Sequence, residues 1–463
     1  MSLWTSAEIA EATGGTASAD FAVDGVTFDS REVGRGDLFI AMVGEAMDGH
    51  RFVDAAIAAG AAGVLVDREV PHPHVRVADT MAALEALGRA ARARCAATVI
   101  GVTGSVGKTG TKEALAAALD RDAPGEVHRS VKSYNNHTGV PLSLARMPRD
   151  CRYAVLEMGM NHTGEIAALT RMVRPHVALI TAIAPAHIEN LGSIEGIADA
   201  KAEVFEGLGP GGVAVLPHDS AQYPRLRARA EALGVRCVSF GTGAGADVRA
   251  LDWVADPDSG GSLVTAKVHD ATLCFALSQP GDHWVSNAMA VLAAVEAAGA
   301  DLNAAGVALA DLPGMAGRGA RHRLRVVGGE ALLIDESYNA NPASMAATLD
   351  ILRRSKGARR LAVLGAMKEL GEQGAALHAA LAEPIVAAHV DRLWLVGDEM
   401  APLADELAKL PLEQRPDFDH GRDVDSVLAA LRETLRPDDV LLIKGSNSVG
   451  LGRLVTALIG EEG

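Results

Sequence analysis

The chain has 463 residues, enough for roughly two to four domains of ordinary size. Hydrophobic residues make up 49% but aromatics only 3%, so its cores must rest on Ala, Val, Leu and Ile. Lys and Arg number 43 against 59 Asp and Glu, a formal charge of −16, which speaks against a general nucleic-acid binder because that function needs a basic face.

In chain order, "MSLWTSAEIAEATGG" lacks a basic stretch followed by an apolar core and reads as a capped helix, not a signal peptide. "VDAAIAAGAAGVLVDREV" reads as helix, glycine stop and strand. "VPHPHVRVADT" reads as loop, with "VRV" patterned as a short strand. "TMAALEALGRAARARCA" has helical periodicity and leads into an apolar strand. A first boundary is placed here, giving a domain over 1–82.

From 83 to 312, apolar runs alternate with helices, the pattern of a parallel sheet covered on both faces. "CRYAVLEMG" ends in Glu157 and Gly159, "PHVALITAIAPAH" is expected to end near His187, and "GGVAVLPHD" follows a helix. Residues 243–278 alternate more and carry turn residues, so antiparallel strands are expected there. From 313 to 463, "ALLID", "RRLAVLG", "DRLWLVG" and "DVLLIKG" are four strand candidates separated by helices, each stopping at an acid, a Gly or a Lys-Gly. Ligands of open α/β sheets sit beyond such carboxyl ends. No apolar run reaches the roughly 18 residues of a membrane helix, so no membrane insertion is expected. Cys95, Cys151, Cys237 and Cys274 are scattered, which points to a reducing cytoplasm rather than to disulfides or zinc.

"GVTGSVGKTGTKEAL" (101–115) follows a strand and opens a helix. Gly104 and Gly107 allow backbone N–H groups to point inward, Lys108 suits outer phosphates, and the Thr109 hydroxyl suits Mg²⁺. The helix N-terminus adds partial positive charge. The spacing departs from the strict phosphate-loop pattern, because Val102 stands where its first glycine belongs. Glu157 is an acid in an otherwise apolar strand. Such a charge is paired or metal-bound, so a structural salt bridge and a Mg²⁺ site both stand open. His187 alone reads as a hydrogen-bonding histidine, and Lys201 in "ADAKAEVF" as a solvated helix lysine.

"TGSVGKT" (103–109), "SYNNHTGVP" (133–141), "LEMGMNHTGEI" (156–166), "AHIENLGS" (186–193), "AKAEVF" (200–205), "GDHWVSNAMA" (281–290) and "GRG" (317–319) together resemble the Mur ligases, the ATP-dependent amide-forming enzymes of peptidoglycan synthesis. The stretch 29–52 is similar to the UDP-sugar-binding domain of two branches of that family. "DESYNANPASM" (335–345) and "VLGAMKELGEQ" (363–373) resemble the branch that joins D-alanyl-D-alanine to UDP-N-acetylmuramoyl-tripeptide. The NPR-type motif of the diamino-acid-adding branch is not found.

The resemblance implies three α/β domains: a mixed α/β UDP-sugar-binding domain (1–82), a central phosphate-loop ATPase with a mainly parallel sheet (83–312) and a Rossmann-like C-terminal domain (313–463). It implies a monomer. Gly104, Ser105, Val106, Gly107, Lys108, Thr109 and Gly110 would cradle ATP, with Asn287, Arg318 and Asp335 touching it. Thr109, Glu157, His187 and Lys201 would serve two Mg²⁺ ions, Lys201 as a carbamate. Lys108, Glu157, His187 and Lys201 would carry catalysis. Ser30 and Arg31 would line the uridine pocket, and Asn135, Asn136, Tyr338, Asn339 and Asn341 the substrate region. Pro217, Trp284 and Asn447 depart from the family pattern. A diamino-acid-adding ligase, a cyanophycin or folylpolyglutamate synthetase, and a silent nucleotide-binding homologue are the alternative readings.

Overall fold

A computed structural model describes residues 2–44, 47–185, 188–256, 260–421 and 423–460. Among these residues the chain builds four sheets. At the N-terminus, Thr5 and Glu8 form a reciprocal capping box that starts the helix Ser6–Thr13, and Gly14 in the left-handed region ends it. A five-stranded sheet follows, in the order Thr16–Ala17, His74–Arg76, Gly63–Val66, Asp37–Ile40 and Gly25–Thr27. The helix α1 (Thr80–Arg94), capped by Asp79, then carries the chain across residue 82, so the expected boundary falls within its first turn. It packs on the helix Gly139–Ala145, and a Cβ on Gly88 would stand 3.1 Å from the Pro141 carbonyl oxygen.

The central sheet has nine strands. Its middle strand, β1 (Thr98–Thr103), runs into the glycine loop and helix α2 (Lys108–Asp122). β1 pairs in parallel with β2 (Tyr153–Glu157) on one side and with β3 (Val177–Ile180) on the other, so Val102 lies opposite both Glu157 and Leu179. Ile100 and Val102 bury against Leu115, Leu119 and Val291 on one face, while Val99 packs with Leu156 and Phe205 on the other. That two-sided burial is why these strands read as continuous apolar runs. Beyond β3 lie Val213–Pro217 and Arg236–Gly241, and then Val248–Ala255, Ser262–Val268 and Ala271–Leu277, which pair antiparallel with one another as expected. Helix α3 (Asp282–Ala297), apolar along most of its length, crosses the first face.

One strand differs from expectation. β3 stops at Ile180, seven residues short of position 187. Its partner β1 turns away at Gly104, so Thr181 makes the last ladder bond, to the Thr103 carbonyl.

The C-terminal sheet has six strands rather than four. The parallel strands β4 (Gly329–Glu336), β5 (Arg359–Gly365) and β6 (Asp439–Lys444) lie in the order β4, β6, β5 and are continued by Arg392–Val396 and Asp417–Gly421. Ala320–Val326 pairs antiparallel on the β4 edge. This strand and Asp417–Gly421 carry charges through their sequences and lack the apolar run that marks the others. Helix α4 (Pro342–Arg354) follows β4. Among the described residues no helix is long and apolar enough to cross a membrane.

Candidate active site

The glycine loop explains its own spacing. Val102 is a fully buried strand residue, so the chain turns at Gly104 instead. A Cβ on Gly104 would lie 2.0 Å from Thr181 Oγ1, which leaves no room for a side chain. The Thr181 hydroxyl donates to the Val106 carbonyl at 2.5 Å, and Ser105 N–H donates to the Ala182 carbonyl at 2.8 Å, so the segment after β3 holds the loop. Gly107, at φ 83°, caps α2. Ser105 Oγ is buried and has no protein hydrogen-bond partner among the described residues, and it faces the cavity described below. Lys108 donates to the Gly104 carbonyl at 2.7 Å and so curls back over the loop. Burial lowers its pKa, with Glu157 opposing the shift.

Glu157 ends β2, almost wholly buried. Thr109 Oγ1 donates to its Oε2 at 3.0 Å, and Asn135 Nδ2 donates to its Oε1 at 2.7 Å. Buried Lys112 lies 3.8 Å from Oε2. Glu157 thus has the buried ion-pair partner of the salt-bridge reading, and it also lines the cavity described below. Lys201, on the helix Ile194–Ala202, is 2% exposed and not solvated. Among the described residues its ammonium has no hydrogen-bond or ion-pair partner, and burial, then the charge of Lys108, lowers its pKa well below the usual lysine range. His187 lies outside the described residues.

These groups open into one cavity of about 710 Å³, lined by Ser105 to Gly110, Asn135, Glu157, Lys201 and Asn287 from the central part and by Arg318, Tyr338, Asn339 and Lys444 from the C-terminal part. A Cβ on Gly107 would stand 3.1 Å from Asn287 Oδ1, so α3 abuts the loop. The Arg318 guanidinium lies 4.4 Å over the Tyr338 ring. Lys444, at the Lys-Gly stop of β6, donates to the Asn339 carbonyl at 2.9 Å and pairs with Glu336 at 3.3 Å. Its pKa is lowered by burial.

Some expected site residues do other work. Asp335 does not line the cavity: its carboxylate accepts from Gly317 N–H at 2.6 Å and from Ser337 N–H and Oγ at 3.1 and 2.7 Å, and so holds the loop that presents Arg318. Asn136 does not line it either, because its Oδ1 accepts from Thr138 and Gly139 N–H and starts the helix Gly139–Ala145. Asn341 rims the cavity while capping α4 through Ser344. Ser30 and Arg31 sit away from it, after strand Gly25–Thr27, with Arg31 paired to Asp29. Trp284 packs on Gly110, where a Cβ would stand 3.1 Å from its ring. Asn447 lines the cavity, whereas Pro217 pairs with Phe240 in the sheet and does not.

Lys112, Ser133, Thr181 and Glu336 were not singled out in the sequence. Glu336 follows Asp335 at a strand end, which was a usable signal. Nothing local marks Lys112, which reads as one more lysine on a helix.

A phosphate fits the cradle: the buried Ser105 hydroxyl, without a protein partner among the described residues, Lys108 and the N-terminus of α2. Magnesium fits beside it. Thr109 and Glu157 offer hard oxygen donors at the edge of the cradle. Mg²⁺ characteristically takes one or two carboxylates and completes its shell with phosphates and water.

Comparison with known proteins agrees. Residues 102–295 match the Mur ligase middle domain, 322–447 the Mur ligase glutamate ligase domain, and 22–118 the Mur ligase family catalytic domain. The chain is 37% identical over 451 residues to the UDP-N-acetylmuramoyl-tripeptide–D-alanyl-D-alanine ligase of Synechocystis sp., covering 96% of this chain and 94% of that protein. It is 34% identical over 446 residues to the ligase of the same name from Escherichia coli, covering 95% and 94%. Its fold is similar to MurF from Acinetobacter baumannii (TM-score 0.83, 31% identity, 99% of each chain). It is also similar to the MurF ligase of Thermotoga maritima in complex with ADP (TM-score 0.76, 27% identity, 94% and 97%).

Proposed function

The chain belongs to the Mur ligase family, and we infer from that membership and from the cavity that it joins D-alanyl-D-alanine to UDP-N-acetylmuramoyl-tripeptide at the expense of ATP. The observation that carries this reading is the convergence on one cavity of the phosphate loop, Glu157 and Lys201 from the central sheet with Arg318, Tyr338 and Asn339 from the C-terminal sheet. The last two lie in the stretch that resembles the D-alanyl-D-alanine-adding branch.

A carboxylate is a poor electrophile. The tripeptide carboxylate oxygen attacks the γ-phosphorus of ATP, the bond to ADP breaks, and an acyl phosphate forms. The amine of the dipeptide then attacks the acyl carbon, phosphate leaves, and a proton is lost from nitrogen. The protein's part is positioning and charge neutralisation. Lys108 is released from the Gly104 carbonyl to the outer phosphates, Ser105 and the loop N–H groups hold them, and Thr109 and Glu157 face the bound nucleotide. Arg318 adds positive charge from the opposite wall. Magnesium, when bound, offsets the repulsion between γ-phosphate and carboxylate. Thr109, Glu157, His187 and a carbamylated Lys201 would hold the ions. A buried lysine of lowered pKa supplies the neutral amine that adds CO₂, forming an N–C bond and releasing a proton.

The division into 1–82, 83–312 and 313–463 is part of the same proposal: a nucleotide-sugar domain, an ATPase and a closing domain. The test is phosphate release from ATP across a matrix of UDP-muramoyl peptides and amino donors. Release only with tripeptide plus D-alanyl-D-alanine is expected. Release with UDP-muramoyl-dipeptide and a diamino acid would overturn the assignment.

A further inference from the structure

Four consecutive side chains, Lys132 to Asn135, reach three parts of the molecule. Lys132 pairs with Glu32 of the N-terminal part. Ser133 Oγ shares a hydrogen bond with the Tyr338 hydroxyl of the C-terminal part. The Tyr134 hydroxyl donates to the same Glu32 carboxylate at 3.2 Å, and its ring centre lies 5.9 Å from that of Phe28. Asn135 donates to Glu157 in the cavity.

This segment is held in a costly shape. Lys132 has φ 51°, the left-handed region that a non-glycine residue rarely occupies. The conformation is secured from below: the fully buried Lys112 ammonium donates to the carbonyls of Ser130, at 2.9 Å, and of Lys132. The same ammonium is the one near Glu157. Strain maintained by a buried charge marks a segment whose shape is over-determined. At its far end, the tyrosine that Ser133 grips carries Arg318 on its ring.

We propose that Lys132–Asn135 is a coupling strap that links occupancy of the nucleotide-sugar end to the placement of Arg318 at the ATP end. The proposal rests on the functional reading above and on the expectation from the family resemblance that Ser30 and Arg31, the two residues before Glu32, lie at the uridine. A ligand ordering that turn fixes Glu32, Glu32 seats Lys132 and Tyr134, and the seated segment offers Ser133 to Tyr338. Tyr338 and Ser133 are positioning residues in this scheme. By linkage the effect is reciprocal: each ligand tightens the other by the same factor.

The test measures the Kd of a non-hydrolysable ATP analogue with and without saturating UDP-N-acetylmuramoyl-tripeptide, by calorimetry on the full chain. The unmodified protein should show tightening of at least about fivefold, the lower end of ordinary allosteric coupling. Glu32→Ala and Lys132→Met, neither of which touches ATP, should keep the affinity for the analogue alone and lose the tightening. A thermal scan of each variant confirms that it folds. Equal tightening in both variants, or none in the unmodified protein, overturns the strap. If the unmodified protein binds the analogue but no UDP-muramoyl-tripeptide, the functional reading falls and takes the strap with it, an outcome distinct from binding without coupling.

Discussion

Thr109 donates a 3.0 Å hydrogen bond to Glu157, tying the first turn of the phosphate-loop helix to the end of the neighbouring strand. The contact spans 48 positions in the chain and exists because β1 and β2 are parallel neighbours. Glu157→Gln keeps the size and an acceptor but removes the charge that faces Lys112 and the cavity. Its kcat should fall by about 100-fold or more, the scale for losing a preorganised electrostatic group. The Mg²⁺ concentration for half-activity should rise about tenfold or more. Phosphate release titrated with Mg²⁺ measures both, and near-unmodified values would remove Glu157 from the metal site.

Lys201 is tested by subtraction and by pH. Lys201→Ala should be nearly inactive and partly rescued by short-chain carboxylates, which return negative oxygen to the gap. Unmodified activity without rescue would exclude its metal-support role. The pH effect has a definite sign. Burial lowers the pKa of Lys201, so between its folded pKa and the ordinary value of about 10.4 the unfolded chain binds a proton that the folded chain does not. Stability at this site therefore rises with pH across that window. In CO₂-free buffer, Lys201→Met should melt higher than the unmodified protein at pH 7, and the gap should narrow as pH approaches 10.

Trp284 and Gly110 form a size-matched pair. A Cβ at 110 would meet Trp284 Cη2 at 3.1 Å and Cζ2 at 3.2 Å. Gly110→Ala should therefore destabilise by about 1–3 kcal/mol through overpacking, despite the better helix propensity of alanine. In a Trp284→Leu background the same change should turn stabilising by up to about 1 kcal/mol, because propensity then acts alone. Denaturant titration of the four proteins gives the cycle, and the same sign in both backgrounds would show that the ring does not set the size limit.

Asp335 and Arg318 separate support from contact. Asp335→Asn should lower stability by about 1–3 kcal/mol, because a buried set of N–H and O–H donors loses its anionic acceptor, and it should weaken ATP-analogue binding through the loop it holds. Arg318→Ala should weaken binding with little change in melting temperature. Loss of binding by Asp335→Asn with unchanged stability would restore a direct nucleotide contact.

Much of the fold was legible in local pattern. The runs ending at Glu157 and at Lys444 announce buried parallel strands, since only a sheet covered on both faces tolerates such continuous apolarity. The strand Ala320–Val326, "ARHRLRV", was not legible, because an edge strand with charged residues carries little apolar signal. The end of β3 is hidden in the sequence for a related reason. "TAIAP" is as apolar as a strand, but its pairing ends where the neighbouring β1 turns at Gly104.

The sequence by itself determined the strand, glycine loop and helix, the N-terminal capping box, and the motif set that identifies the family. Each of these elements and motifs is read from residues a few positions apart, and short-range sterics and capping chemistry shape the first three at that range. Only the tertiary structure decided which carboxylate faces the cavity, with Glu157 turned in and Asp335 turned under. It also buried Lys201 rather than leaving it in solvent, and set Lys112 beneath Lys132. Those outcomes depend on desolvation and on partners brought together by the order of strands in a sheet. A side chain's chemistry states what it can do, but its burial and its neighbours across the chain decide which of those things it does.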